Sequence, residues 1–527
     1  MATCDFKYNS YFSIINTSDG DPSAAAYNPF DEDNHSTHAY NSVSSSDITY
    51  DSSTGRVTFS AQGTYLIVFS AMLIVDGTTT IVGSIGINGS AQYASVAFYD
   101  GTSADPVDST FQLITSVVPG DYLEVSVDSQ NTQTNAAQNG TSLTILKANG
   151  DYGYLMYTSD ASASGGGAEI AFFDENERTA DVQTLKNVEY DAEEGTLTPD
   201  NTRKFLMLST LIGTHNHNSA EVNHRLYVNG SEIEVLPVVI PAPQDPTETS
   251  IGLLKSLTAD ETCSARAQSA AAGRTIQANK GTAFSIFDIT NNGTDPTAFL
   301  SLSVDADSSA MAGGFSDRIC FDDGHWTGGV ATTSFVTATG ITYTAGGGTF
   351  VVASAGKYFI LWCLGVGSAS ASTERTVKIM NGVTIVYQAP WYVHKNSDPI
   401  EKTVCVILDA DAGDSFTFVV DGLNGKFDAG TVITMFKVDD THTSGNPYIL
   451  RGHTPGVQIN FESTPIAQIS DDFTLNNYAI DNLSAQYKKV PKQVPFILGT
   501  PGPLSLRGRC LATTETPPNV STGDKKN

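Results

Sequence analysis

Basic residues are scarce in this chain. Its 527 residues include 28 lysines and arginines against 57 aspartates and glutamates, a net charge of −29. That imbalance argues against a general nucleic-acid binder and against docking on an acidic membrane surface. Charge of either sign is sparse at 16%, and with abundant Ser, Thr, Asn and Gly it reads as the neutral-polar, turn-rich exterior of a β protein. Long apolar runs are also missing. The longest mostly apolar stretch, Tyr65 to Val75, falls well short of the roughly 20 residues of a membrane-crossing helix. The N-terminal Met1-Ala2-Thr3-Cys4-Asp5-Phe6-Lys7 has neither a basic region nor an apolar one, so no signal peptide is expected and synthesis in a cytoplasm is. The six cysteines (Cys4, Cys263, Cys320, Cys363, Cys405 and Cys510) lie far apart with no CxxC pair. They read as small buried hydrophobes rather than as zinc ligands, a redox pair or disulfides.

What is present is a repeat. Hydrophobic residues at 40% suffice for cores, and the length suggests three or four domains. Three segments align on Tyr50, Tyr190 and Tyr343. Five residues on stand Gly55, Gly195 and Gly348, and fifteen on stand Tyr65, Phe205 and Tyr358. Asn-Gly pairs follow at Asn88, Asn229 and Asn381, and apolar pairs at Phe111 and Leu113, Ile251 and Leu253, Val404 and Val406. An acid stands 71 residues after each reference tyrosine, at Asp121, Glu261 and Asp414. Alternating runs follow it, and each copy closes on Leu143 and Ile145, Phe284 and Ile286, or Ile433 and Met435.

The local pattern is β. Period-two alternation presents one apolar face and one polar face. The recurring glycine follows turn residues, where a positive φ costs it little. Asn-Gly between strands predicts a two-residue hairpin of type I′. Ala265 to Ala272 favours helix on propensity alone, but register with the other copies predicts a strand. The fold class expected is all-β: three tandem jelly-roll β-sandwiches with an extended Pro-rich C-terminal arm. The boundaries expected are an acidic N-terminal segment at 1–34, jelly rolls at 35–150, 151–292 and 293–445, and the arm at 446–527.

Gly63-Thr64-Tyr65 and Gly356-Lys357-Tyr358, each after a Tyr-x-x-x-x-Gly turn, resemble the entry to the tumour necrosis factor-like and complement globular-head jelly rolls. Gly120-Asp121 and Gly413-Asp414 ahead of alternating apolar residues resemble a second signature of that family. Copy two departs from both, with Thr202 and Arg203 at the first site and Asp260-Glu261 at the second. The resemblance covers roughly residues 35–445. It implies ten-strand jelly rolls that usually trimerise about a threefold axis through an apolar face, and that bind and assemble rather than catalyse. Such domains occur in bacteriophage decoration, head-fibre and tail-fibre proteins. Either three chains associate as a homotrimer of stacked tiers, or three copies in one chain form an intramolecular pseudo-trimer.

The two ends differ from the body. Residues 1–34 carry six acids against Lys7 and read as a loosely ordered terminus or as an arm packed on a neighbour. Residues 446–527 hold nine of the 21 prolines and a charge of +2. Lys488, Lys489, Lys492, Arg507 and Arg509 form an acid-free basic stretch, a candidate anchoring arm for an acidic partner surface. An arm wrapped on its own domains and a disordered end are the alternatives.

Candidate chemistry is thin. His215-Asn216-His217 has the spacing of a metal-binding pair on one strand face, with His224 nearby, yet reads better as an exposed loop. Asp305-Ala306-Asp307 and Asp322-Asp323 lack the twelve-residue calcium-loop pattern. No Walker loop, Gly-x-Ser-x-Gly elbow, His-Glu-x-x-His or dinucleotide fingerprint occurs. No catalytic residue, cofactor or metal is nominated, and no enzyme is expected. The function expected is a virion structural protein of a bacteriophage, a capsid decoration or head fibre on the particle surface, with major capsid or other virion proteins as partners. The alternatives are a tail-fibre adhesin for host surface glycans and a surface polysaccharide hydrolase.

Overall fold

A computed structural model describes residues 10–20, 26–33, 38–42, 47–75, 79–99, 106–129, 135–160, 169–215, 220–240, 247–270, 274–291, 293–305, 317–325, 332–367, 373–393, 400–421 and 426–439. The protein is all-β: its described regular elements are antiparallel strands and one short 3-10 turn. The strands form three two-sheet sandwiches with one strand order. In copy one the inner sheet runs His38–Ser42, Tyr11–Asn16, Ser142–Lys147, Gly63–Val75, Pro106–Val117. Its outer sheet runs Ile48–Asp51, Arg56–Phe59, Tyr122–Ser129, Thr79–Ile87, Ser90–Tyr99. Copy two repeats the inner order with Val182–Lys186, Tyr152–Met156, Ala283–Asp288, Arg203–His215, Thr247–Leu257. Copy three repeats it with Thr332–Ser334, Phe299–Val304, Val432–Asp439, Gly356–Gly367, Ile400–Ala410. The Ala-rich segment of copy two is strand Cys263–Ser269, because its alternate residues Cys263, Ala265 and Ala267 fill the core and tertiary packing outweighs propensity.

The structure gives each repeated residue a physical role. The reference tyrosines donate their hydroxyls to the carbonyls of Phe30, Phe173 and Phe321, tying down the turn that precedes each copy. Gly55, Gly195 and Gly348 have φ of +64°, +65° and +57°. They also lie against that same turn: a Cβ on Gly195 would stand 2.5 Å from the Phe172 carbonyl oxygen. Tyr65, Phe205 and Tyr358 are fully buried, and the two tyrosines donate back to the carbonyls of Ala61 and Ser354. The hairpin asparagine and the later acid clasp each other. Asn88 Nδ2 donates to Asp121, Asn229 to Glu261 and Asn381 to Asp414 at 2.8, 3.2 and 2.7 Å. Each acid also accepts from the backbone three residues before it, at Val118, Thr258 and Asp411.

Two expectations need correcting. The described part of residues 1–34 is not a separate leader, because Tyr11–Asn16 is a fully buried strand inside the inner sheet of copy one, paired with Ser142–Lys147 and with His38–Ser42. Tyr27 and Phe30 are buried in the same core; the flanking acids mask an apolar strand, so the sandwich begins well before residue 35. The hairpin of copy three also departs from the Asn-Gly turn. Asn88 and Asn229 have φ of +54° and +51°, whereas in copy three the positive φ falls on Gly382. Strand Thr373–Asn381 keeps its asparagine and the turn becomes Gly382-Val383, because glycine leads that pair.

The three inner sheets converge. Pro106–Val117, Thr247–Leu257 and Ile400–Ala410 each end their sheet, pairing on one side only, and their outer edges pack on one another. These three are the axial strands. One apolar cluster runs through copies one and two and takes in Phe359, Leu361, Cys363, Cys405, Ile407 and Phe436 of copy three. The remaining core of copy three takes in Ile15 and Met72 of copy one.

Candidate functional site on the common axis

A strand at a sheet edge carries unpaired N–H and C=O groups that invite foreign pairing. Here each axial strand satisfies its edge with side chains from the next copy. Thr110 Oγ1 donates to the Thr403 carbonyl at 3.3 Å, Thr403 Oγ1 to the Ser250 carbonyl at 3.1 Å and Ser250 Oγ to the Thr110 carbonyl at 3.0 Å. The bonds close a ring that passes from copy one to three, three to two and two to one. These hydroxyls occupy one repeat position, 60 residues after each reference tyrosine, and all three are buried.

A second ring has the same hand. Ser13 Oγ accepts from the Ile407 amide at 3.2 Å, Ser301 Oγ accepts from the Leu254 amide at 3.0 Å, and the Tyr154 hydroxyl donates to the Gln112 carbonyl at 3.0 Å. Ile114, Leu254 and Ile407, again one repeat position, are buried beside it. A third set of contacts is made by turns. A Cβ on Gly140 would stand 2.7 Å from the Gln388 carbonyl oxygen of copy three, and one on Gly430 would stand 1.7 Å from the Val235 carbonyl oxygen of copy two. The threonine after each of these glycines, Thr141 and Thr431, both accepts from and donates to the long inner strand of its own copy, at Met72 and Gly365. Thr282 does the same at Ile212 in copy two.

Two residues before the hydroxyl ring, three acids share one repeat position: Asp108, Glu248 and Glu401. Glu248 accepts from the Thr110 amide at 2.9 Å and from Ser250 Oγ at 2.5 Å. Glu401 accepts from the Ser250 amide at 3.4 Å and from Thr403 Oγ1. Asp108 is one methylene shorter and instead faces Lys402 of copy three, Nζ to Oδ2 3.7 Å. Burial raises all three carboxyls above the ordinary range, Glu248 to about 8, with Lys402 pulling Asp108 back down. Burial lowers Lys402, and the surrounding carboxylates oppose that shift. One lysine among three acids makes the axis a proton-holding knot. Among the described residues no group of His, Cys, Asp and Glu is arranged to hold a metal ion.

The sequence-nominated residues fall elsewhere. The nine repeat-defining residues are turn and core residues of the three sandwiches. Lys488, Lys489, Lys492, Arg507 and Arg509 lie outside the described residues, as do Asn216, His217, Asp307, Cys4 and Cys510. His224 is not a ligand in a loop: it is fully buried between the sheets of copy two, 2.8 Å from Ser209 Oγ, and burial lowers it to about 3. Asp322 caps a turn by accepting from the amides of Gly324 and Gly347. Cys263, Cys320, Cys363 and Cys405 are buried free thiols. Sequence reading missed the axial residues, although the alignment held their signal: an acid at +58, a hydroxyl at +60 and an aliphatic at +64 in every copy. It also reads the joining face as apolar, whereas a polar layer lies across it.

No known family profile matches the sequence, and no curated protein matches it. Solved structures give loose likenesses. An Eiger TNF from S. frugiperda is 13% identical over 26% of this chain and 92% of its own, with a TM-score of 0.19. A structure described as the triple jelly roll fold and turret assembly in an archaeal virus is 10% identical over 82% of this chain and 92% of its own, TM-score 0.17. A Paenibacillus xanthan lyase is 11% identical over 76% of this chain and 41% of its own, TM-score 0.15. The strand topology and the axial hydrogen bonds define the class: a protein of three like β-sandwiches joined about one axis.

Proposed function

We propose that this chain is a non-enzymatic virion structural protein: a single-chain block of threefold pseudosymmetry standing on the particle surface of a bacteriophage after synthesis in the host cytoplasm. The observation that carries this reading is the cyclic hydrogen bonding of the three axial strands. It supports the intramolecular pseudo-trimer over a homotrimer of stacked tiers, because the edges on which tumour necrosis factor-like subunits would associate are occupied within one chain. Such a block gains the shape of a trimer without an assembly step, and its acidic surface keeps neighbouring copies apart at high density. Attachment to major capsid or other virion proteins falls to residues 446–527, whose basic stretch is complementary to an acidic shell. The test is to remove residues 446–527 and score incorporation into particles. The folded body should persist, with the melting behaviour of the full chain, while particles lose the protein. Normal incorporation of the truncated chain would reject the anchoring role.

A further inference from the structure

Lys402 is the least expected residue on the axis. Its side chain is 1% exposed and it reaches out of copy three onto the inner sheet of copy one. There it lies against the sulfur of Met72, whose cross-strand neighbour is Asp108. An ammonium has three protons to place. A thioether is a weak acceptor, and the Asp108 oxygen at 3.7 Å is beyond good hydrogen-bond range. A charged lysine is therefore poorly served here, and burying it so is costly. Burial favours the uncharged amine and the uncharged carboxylic acid against the attraction of the ion pair, and those are the partners of a condensation.

We propose that Lys402 Nζ and the Asp108 carboxyl condense to an intramolecular amide that joins copy three covalently to copy one. The amine lone pair attacks Cγ of the protonated carboxyl and forms the C–N bond. A neighbouring protonated glutamate gives its proton to the departing hydroxyl and takes one Nζ proton in exchange, so that it ends as it began. The C–O bond breaks, one water leaves, and no oxidant, reductant or cofactor is consumed. Glu248 and Glu401 are the proton carriers. Both carboxyls are fixed by backbone amides of Thr110 and Ser250, and both lie within electrostatic reach of Lys402. Burial raises both above the ordinary carboxyl range, and Glu248, at about 8, is suited to hold and return a proton near neutral pH. Holding amine and acid 3.7 Å apart replaces an unfavourable encounter in water by an intramolecular one, and burial of the site disfavours the return of water. The inference stands apart from the virion reading, since it rests on the axial geometry alone.

Intact-mass spectrometry of the denatured full chain tests it. Wild type should be lighter than its sequence mass by one water, about 18 Da, a covalent change to be counted like any other modification. Proteolysis should release a branched peptide joining Lys402 to Asp108. Lys402→Arg should match its sequence mass, and Glu401→Gln should lower the crosslinked fraction at least tenfold without requiring that the arginine variant fold. A wild-type mass equal to the sequence mass with no branched peptide would overturn the proposal. So would a branch found at Lys357 and Asp409 instead, a second buried pair at 2.9 Å with no part in the axial cluster.

Discussion

Gly430 and Gly413 make a matched pair of probes for the joining of the copies. Both have a positive φ, +85° and +90°, so an alanine at either site costs about 1–2 kcal/mol in backbone strain. Around Gly413 a Cβ meets nothing within 4 Å, whereas at Gly430 it would lie 1.7 Å from the Val235 carbonyl oxygen and 3.1 Å from Leu236 Cα. Those atoms are backbone of Ser231–Ile240, which is hydrogen-bonded to Ala220–Val228 and cannot turn aside. Restoring a contact near the usual 3.5 Å requires copies two and three to part by more than about 1 Å, an overpacking cost of roughly 1–3 kcal/mol. Gly430→Ala should therefore lose about 2–5 kcal/mol and Gly413→Ala about 1–2 kcal/mol. For a cooperative body of about 430 residues the unfolding entropy is near 0.9 kcal/mol/K. Scanning calorimetry should then show a fall in Tm of about 2–6 °C for Gly430→Ala against about 1–2 °C for Gly413→Ala. Equal falls would refute the packing of that turn on copy two.

Three more outcomes follow from named contacts. Gly195→Val should lower the melting temperature by more than Gly413→Ala does, because its Cβ would strike the Phe172 carbonyl at 2.5 Å as well as meet a φ of +65°; an unchanged Tm would reject that turn. Asp260 is exposed with a φ of +70° where copies one and three have glycine, so Asp260→Gly should raise stability in urea by about 0.5 kcal/mol, and a loss would contradict the strain assigned there. Glu248 is raised from 4.5 to about 8 by burial, so the folded state holds a proton that the unfolded chain releases. That contribution is full below about pH 4.5 and is lost as pH rises toward 8, with a slope of at most about 1.4 kcal/mol per pH unit. His224 works oppositely, because its lowering to about 3 gives stability present above pH 6.5 and lost below it. Urea midpoints measured against pH should therefore fall on the alkaline side for wild type, and Glu248→Gln should flatten that limb; an unchanged slope would reject the role of Glu248.

How much of this was legible in the sequence follows from what each position does. The turn glycines, the hairpin asparagines and the acids were legible because local backbone geometry restricts the residue type wherever the turn recurs. The strand Tyr11–Asn16 was hidden by the acidic residues around it, and the turn before each reference tyrosine by its varying distance, with Phe30, Phe173 and Phe321 at different offsets. The axial face was misjudged for a deeper reason. Alternation along Pro106–Val117 shows that its two faces differ, but not that the polar face is wet. Thr110, Ser250 and Thr403 are polar because the open edge of each inner sheet needs partners, and burial by another copy of the repeat is a long-range fact. Lys402 and Asp108 are distant in sequence and occupy neighbouring rather than equivalent repeat positions, so no alignment of the copies would pair them.

If one chain closes on itself through its three copies, its molar mass in solution is that of a single chain. Light scattering after size exclusion should give 55.8 kDa at all concentrations, since the axial edges are already occupied. A stable mass of about 170 kDa, the value for a symmetric trimer of such chains, would refute closure within one chain and return the axial surfaces to contacts between chains.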